Sequence, residues 1–125
     1  MNIAASLTGL LACLRGPETG AGRPVLACNA NAITAAERPR YRELLTKLRL
    51  ATRARRELPD GYAFRLMEKS ISLADVAEWI RMERLCCPFL VFHLELAGSA
   101  EEMELVLRGP SGTKAILESV FSNGG

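Results

Sequence analysis

The sequence predicts an α+β domain, a small and mostly antiparallel sheet packed against two or three helices. Three observations predict it. Tyr41, Leu44, Leu45, Leu48 and Ala51 form an apolar stripe at helical spacing. Two segments, 62–66 and 89–96, alternate apolar and polar residues as half-buried strands do. Helix-start signals precede two of the apolar runs, at Thr34 and Ser72. The predicted element order is β-α-β-α-β-β-α.

Each element has its own grounds. "VLAC", 25–28, is a short apolar run and reads as an edge strand, with "NANA" as the turn after it. "TAAE", Thr34 to Glu37, is a capping box: Thr34 accepts from the backbone N–H of Glu37, and Glu37 reaches back. Pro39 lies close behind, so the helix bends or restarts there. The arginines take the positions that the apolar stripe leaves free, and the basic run 38–56 is read as one helix. "LPDG", 58–61, is a turn with Pro and Gly in their usual places. In "YAFRL", Tyr62, Phe64 and Leu66 share one face. "SLAD", 72–75, caps a helix that runs to about Cys87, because Pro88 cannot continue it. "FLVFHLEL" is a strand with Leu90, Phe92, Leu94 and Leu96 on one side and Phe89, Val91, His93 and Glu95 on the other. "AGSAE" is a hairpin-length loop and "MELVLRG" the returning strand. "GPSGTKAILESVF" starts a last short helix.

The chain has 125 residues, 49% hydrophobic and 24% charged, the composition of one globular domain and not of a disordered chain. Residues 1–24 read as a leader and linker with room for a short helix, 25–122 as the domain, and 123–125 as a frayed tail. The net charge is +2. Residues 38–56 hold eight basic side chains against one acid, Glu43, and the remainder is net acidic. That segment lacks the aromatic platforms and recognition-helix pattern of nucleic-acid binders, so nucleic acid is not the expected partner. "GPSGTK" lacks the spacing of a P-loop. No apolar run is long enough to span a bilayer, and the first residues lack the charged start of a signal peptide. The expected compartment is the cytoplasm, where Cys13, Cys28, Cys86 and Cys87 stay reduced. A homodimer is compatible with all of this.

The chemistry concentrates in "MERLCCPFLVFHLEL", 82–96. With about 100° per residue and a core face of Leu73, Val76, Ala77 and Ile80, Cys87 falls within about 20° of Ile80 and points inward. Cys86 falls about 120° away, at the rim, near Trp79 and Glu83. Adjacent cysteines bond to each other only through a strained ring. Both sit at a helix C-terminus, where the dipole disfavours a thiolate. A metal brings its own positive charge and drives deprotonation, so soft-metal binding suits the location best among chemical roles. Cys28, Cys86 and Cys87 would make a trigonal thiolate set, extended to four ligands by His93 or Glu83. Against this stands the packing reading, since free cysteine fills cores as a small hydrophobe.

The segments "LACNANAITAAERPRYRELL", "RELPDGYAFRL", "EWIRMERLCCPFLVFHLEL" and "LRGPSGTKAIL" resemble a family of small uncharacterised bacterial proteins. Its members combine a cysteine before the first helix, a Glu-x-x-Cys-Cys-x-Phe segment and a Gly-Pro helix start near the end. The resemblance covers about residues 25 to 120. Similar segments occur beside or fused to metal-responsive regulators, which implies mercury, arsenite or related soft ions. By position the matching residues are Cys28, Glu83, Cys86, Cys87, Pro88 and Phe89. Three functions are therefore expected to compete. The first is a binding protein for a soft metal or metalloid ion, with no catalytic residue. The second is a thiol enzyme with Cys86 reacting, Cys28 resolving and Glu83 accepting the proton. The third is an interaction module whose cysteines only pack.

Overall fold

A computed structural model describes residues 29–98 and 101–121. A 3-10 turn, Ala30–Ala32, leads into α1, Arg38–Ala51. Strands β1, Thr52–Leu58, and β2, Gly61–Met67, form a hairpin. Then come α2, Leu73–Cys86, the second hairpin of β3, Val91–Leu96, and β4, Glu102–Arg108, and finally α3, Thr113–Phe121. The sheet order is β1-β2-β4-β3, with every pairing antiparallel. This is the α+β class that the patterning predicts. The strand expected at 25–28 lies outside the described residues.

The helices pack on the sheet face that carries Tyr62, Phe64, Leu66, Met103, Leu105 and Leu107, all buried. Alternation along β2 and β4 puts them there together, because residues two apart share a face. Phe64 stacks against Phe121 of α3 with ring centroids 4.5 Å apart. Trp79 of α2 meets Phe92 of β3 and Phe121 edge-on, at 6.2 and 6.1 Å. Trp79 is thus the centre of the core and holds α2, α3 and the sheet together. Its Nε1 is buried without a hydrogen-bond partner.

The helix starts follow the caps. Thr34 Oγ1 accepts from the backbone N–H of Glu37 at 3.3 Å, but regular helix begins only at Arg38. Pro39 then falls at the first positions of α1, where its missing N–H costs nothing. Ser72 Oγ accepts from the backbone N–H of Asp75 at 3.0 Å, an N-cap of the kind that contributes about 1 kcal/mol.

The basic run is not one helix. α1 ends at Ala51, and Thr52–Leu58 is an edge strand. "TRARREL" carries no apolar alternation, and all of its residues from Arg53 to Glu57 are exposed. What makes it a strand is the tight turn at Pro59 and Asp60, which folds it back along β2. The charges of this region pair with the rest of the chain. Arg40 reaches Glu78 and Asp75, Lys47 reaches Asp75 at 2.7 Å, and Arg56 reaches Glu104 across the sheet at 3.1 Å. Arg55 lies over the Tyr62 ring, 4.9 Å from its centroid. No helix among the described residues is long and apolar enough to cross a membrane.

Candidate functional site

The cysteine doublet sits where α2 stops. Cys86 is the last helical residue, and Cys87 leaves the helix with φ −124° and ψ 77°. Pro88 enforces the break. Three backbone hydrogen bonds fix the corner. The N–H of Cys87 donates to Glu83 O at 2.7 Å, the N–H of Leu90 donates to Cys87 O at 3.2 Å, and the N–H of Asn29 donates to Cys86 O at 2.7 Å. The last of these ties the residue next to Cys28 directly to the doublet.

Both cysteines are fully buried, each with 0% exposure, and their sulfurs are 3.7 Å apart. The rim position expected for Cys86 is therefore corrected. The core face of α2 is not Leu73, Ala77 and Ile80. Leu73 and Ala77 are exposed and Ile80 is half-buried, while Val76, Trp79, Met82, Glu83 and Cys86 are buried. The volumes of Trp79 and Met82 turn the helix this way, and the buried stripe then runs straight through an acid. For Cys87 the inward placement holds, although the residue has already left the helix.

Glu83 completes the cluster. It is buried, one turn before the doublet, and the Tyr41 hydroxyl donates to its Oε1 at 2.7 Å from across the α1–α2 interface. Loss of solvent pushes its carboxyl up to about 7, against the pull of the Tyr41 hydrogen bond, so near neutral pH it holds a proton part of the time. Burial first, and the Glu83 carboxylate second, push the Cys86 thiol up to about 12. Burial likewise raises the Tyr41 hydroxyl well above its ordinary range, with Glu83 adding to it. Cys86 is a free thiol. Cys87 is disulfide-bonded. The expectation that all four thiols stay reduced does not hold for it in this structure.

Of the residues singled out in the sequence, the structure sets the sulfurs of Cys86 and Cys87 side by side, with Glu83 one turn earlier and facing the Tyr41 hydroxyl. Cys28 and Cys13 lie outside the described residues. His93 is exposed and pairs with Val106 on the sheet face turned away from the helices, so the sheet stands between it and the doublet. Among the described residues no three His, Cys, Asp or Glu side chains are grouped to hold a metal ion. Sequence reading missed Tyr41 as a member of the cluster. It occupies an apolar stripe position, and nothing in the chain announces that its hydroxyl meets an acid forty-two residues on.

No protein-family model, curated protein or solved structure matches this chain. The site is therefore read from its own chemistry. A thiol held at about 12 is protonated at neutral pH and is a poor nucleophile. A soft cation would reverse that by supplying the positive charge which this corner lacks. Two sulfurs bound to one tetrahedral ion at about 2.3 Å each stand about 3.8 Å apart, close to the spacing found here.

Proposed function

We propose that this protein binds one soft metal or metalloid ion through the thiolates of Cys28, Cys86 and Cys87, with Glu83 beside them. Its role would be sequestration, sensing or handoff. The observation that carries the reading is the 3.7 Å separation of the Cys86 and Cys87 sulfurs, held by a backbone corner fixed at three hydrogen bonds. The hydrogen bond from Asn29 to Cys86 supports Cys28 as the third sulfur, since it ties the adjacent residue to the doublet. His93 has no part in this proposal, because it faces the other side of the sheet.

The test is equilibrium dialysis of the fully reduced full-length chain against Cd²⁺. Wild type should retain one ion per chain. Cys86→Ser and Cys87→Ser should each lose tight binding while keeping the wild-type circular dichroism. Equal retention by all three folded proteins would end the proposal.

A second reading, a thiol enzyme, takes up the free thiol of Cys86. In it Cys86 is the reacting thiol, Cys28 the resolving one and Glu83 the proton acceptor. The complete burial and high proton affinity of Cys86 weigh against it. Rapid, selective alkylation of Cys86 near neutral pH is the result that would favour it.

A further inference from the structure

We infer that two copies of this chain join through the open edge of β3, antiparallel about a two-fold axis at Leu94, so that His93 of each copy lies opposite Glu95 of the other. In the order β1-β2-β4-β3 the sheet has two edges among the described residues, β1 and β3. An edge strand leaves a row of backbone N–H and C=O groups unpaired, and native chains blunt such rows with charge, proline or a bulge. β1 is blunted twice. Its register shifts between Thr52 and Ala54, and it carries Arg53, Arg55 and Arg56. A two-fold pairing centred on Ala54, Arg55 or Arg56 sets arginine against arginine. β3 keeps an unbroken register with β4 and holds no proline, lysine or arginine.

The charges of β3 select a second copy as its partner. His93 and Glu95 are exposed on the outer face of the sheet and have no hydrogen-bond or ionic partner among the described residues. Within the chain Glu95 stands directly opposite another acid, Glu104, and His93 stands opposite Val106. Like charges across a strand pair repel and opposite ones attract. A two-fold axis perpendicular to the sheet keeps its faces matched, so it passes through a residue. An axis at His93 opposes histidine to histidine and leaves Glu95 against Val91. An axis at Glu95 opposes acid to acid. An axis at Leu94 gives two His93–Glu95 pairs. On the helix side the same register lays half-buried Phe92 against Leu96, which is 44% exposed, and half-buried Leu94 against its own copy. These three pair within the chain with buried Leu107, Met103 and Leu105, so the core face continues across the joint. A strand of 6 residues buries less than the roughly 1,200 Å² of a standard stable interface, so the dimer should dissociate at micromolar rather than nanomolar concentration.

The experiment is sedimentation velocity of the full-length chain over a dilution series, with reductant present so that no interchain disulfide links the copies. Wild type should show a reversible monomer–dimer equilibrium. His93→Glu and Glu95→Lys should each weaken the dimer by about tenfold or more, because each sets like charges opposite one another twice. The double variant, His93→Glu with Glu95→Lys, restores opposite charges in reversed order and should return to within about threefold of wild type. Both positions are exposed, and circular dichroism checks that every variant stays folded. Wild type that is monomeric at every concentration would overturn the inference. So would a dimer that neither single substitution weakens, since it would form through another surface. A folded double variant as weak as the single ones would overturn it as well, because the pairing of His93 with Glu95 is what sets the register.

Discussion

Gly61→Ala should cost the domain about 4 kcal/mol or more, a large share of the total stability of a chain this size. Gly61 opens β2 directly after the hairpin turn and pairs with Leu58 on one side and Arg108 on the other. A Cβ added there would drive into the carbonyl oxygen of Leu107 and sit 2.9 Å from the Cα of Arg108. Both obstacles are backbone of the central strand β4, so neither can swing aside. Relief requires β2 and β4 to separate, and that breaks the pairing on which the core face of the sheet depends. Gly98→Ala is the control. It lies in the β3–β4 loop with nothing within 4 Å of the added atom, and should change stability by less than about 0.5 kcal/mol. Denaturant unfolding of the two variants beside wild type checks the contrast. Equal midpoints would mean that the strand packing described here is wrong.

The second large effect is a fall in stability as pH rises, caused by one buried acid. Glu83 has an ordinary value of 4.5 and is raised to about 7 in the fold. An acid with a higher pKa folded than unfolded binds its proton more tightly in the native state. Its stabilising contribution is complete below about 4.5 and is lost as pH climbs through about 7. The total is about 3 kcal/mol between those limits. Asp75 and Glu78 work in the opposite sense. Hydrogen bonds from Lys47 and Arg40 lower them, so their contributions fade only in acid, below the window where Glu83 acts. Metal-free protein unfolded by denaturant should therefore be most stable near pH 5 and weaken toward pH 8. Glu83→Gln keeps an acceptor for the Tyr41 hydroxyl and removes the titrating proton, so its stability should be flat across that window. A Glu83→Gln variant with the wild-type slope would assign the pH dependence elsewhere.

The same acid explains what could and could not be read in the chain. The caps at Thr34 and Ser72, the turn at 58–61 and the alternation in 62–66 and 89–96 are local signals; the turn and the Ser72 cap sit where the sequence puts them, the second strand starts two residues later, at Val91, and Thr34 caps a turn ahead of the helix that starts at Arg38. These elements form because nearby residues dictate them, and they are enough to specify the α+β class. The strand at 52–58 was illegible, since its side chains are arginines without a buried face and its state comes from pairing with β2. The orientation of α2 was illegible for a related reason. Two stripes compete on that helix. The all-apolar one through Leu73, Ala77 and Ile80 looks like the core, but the winning one passes through Glu83. Only tertiary contact reveals why an acid is tolerated there, because the Tyr41 hydroxyl that receives it belongs to another helix. The doublet stands out as chemistry in the sequence, and helical spacing puts Cys87 inside, where it is. Helical spacing counted from the all-apolar stripe puts Cys86 at the rim, whereas the buried stripe carries it into the core.

X-ray absorption at the cadmium edge of the reduced, Cd²⁺-loaded chain decides whether the sulfurs at this corner share one ion. In wild type the neighbours of the metal should be mostly sulfur, and Cys86→Ser should lose sulfur from that shell. A shell of oxygen and nitrogen alone, unchanged by that substitution, would contradict it.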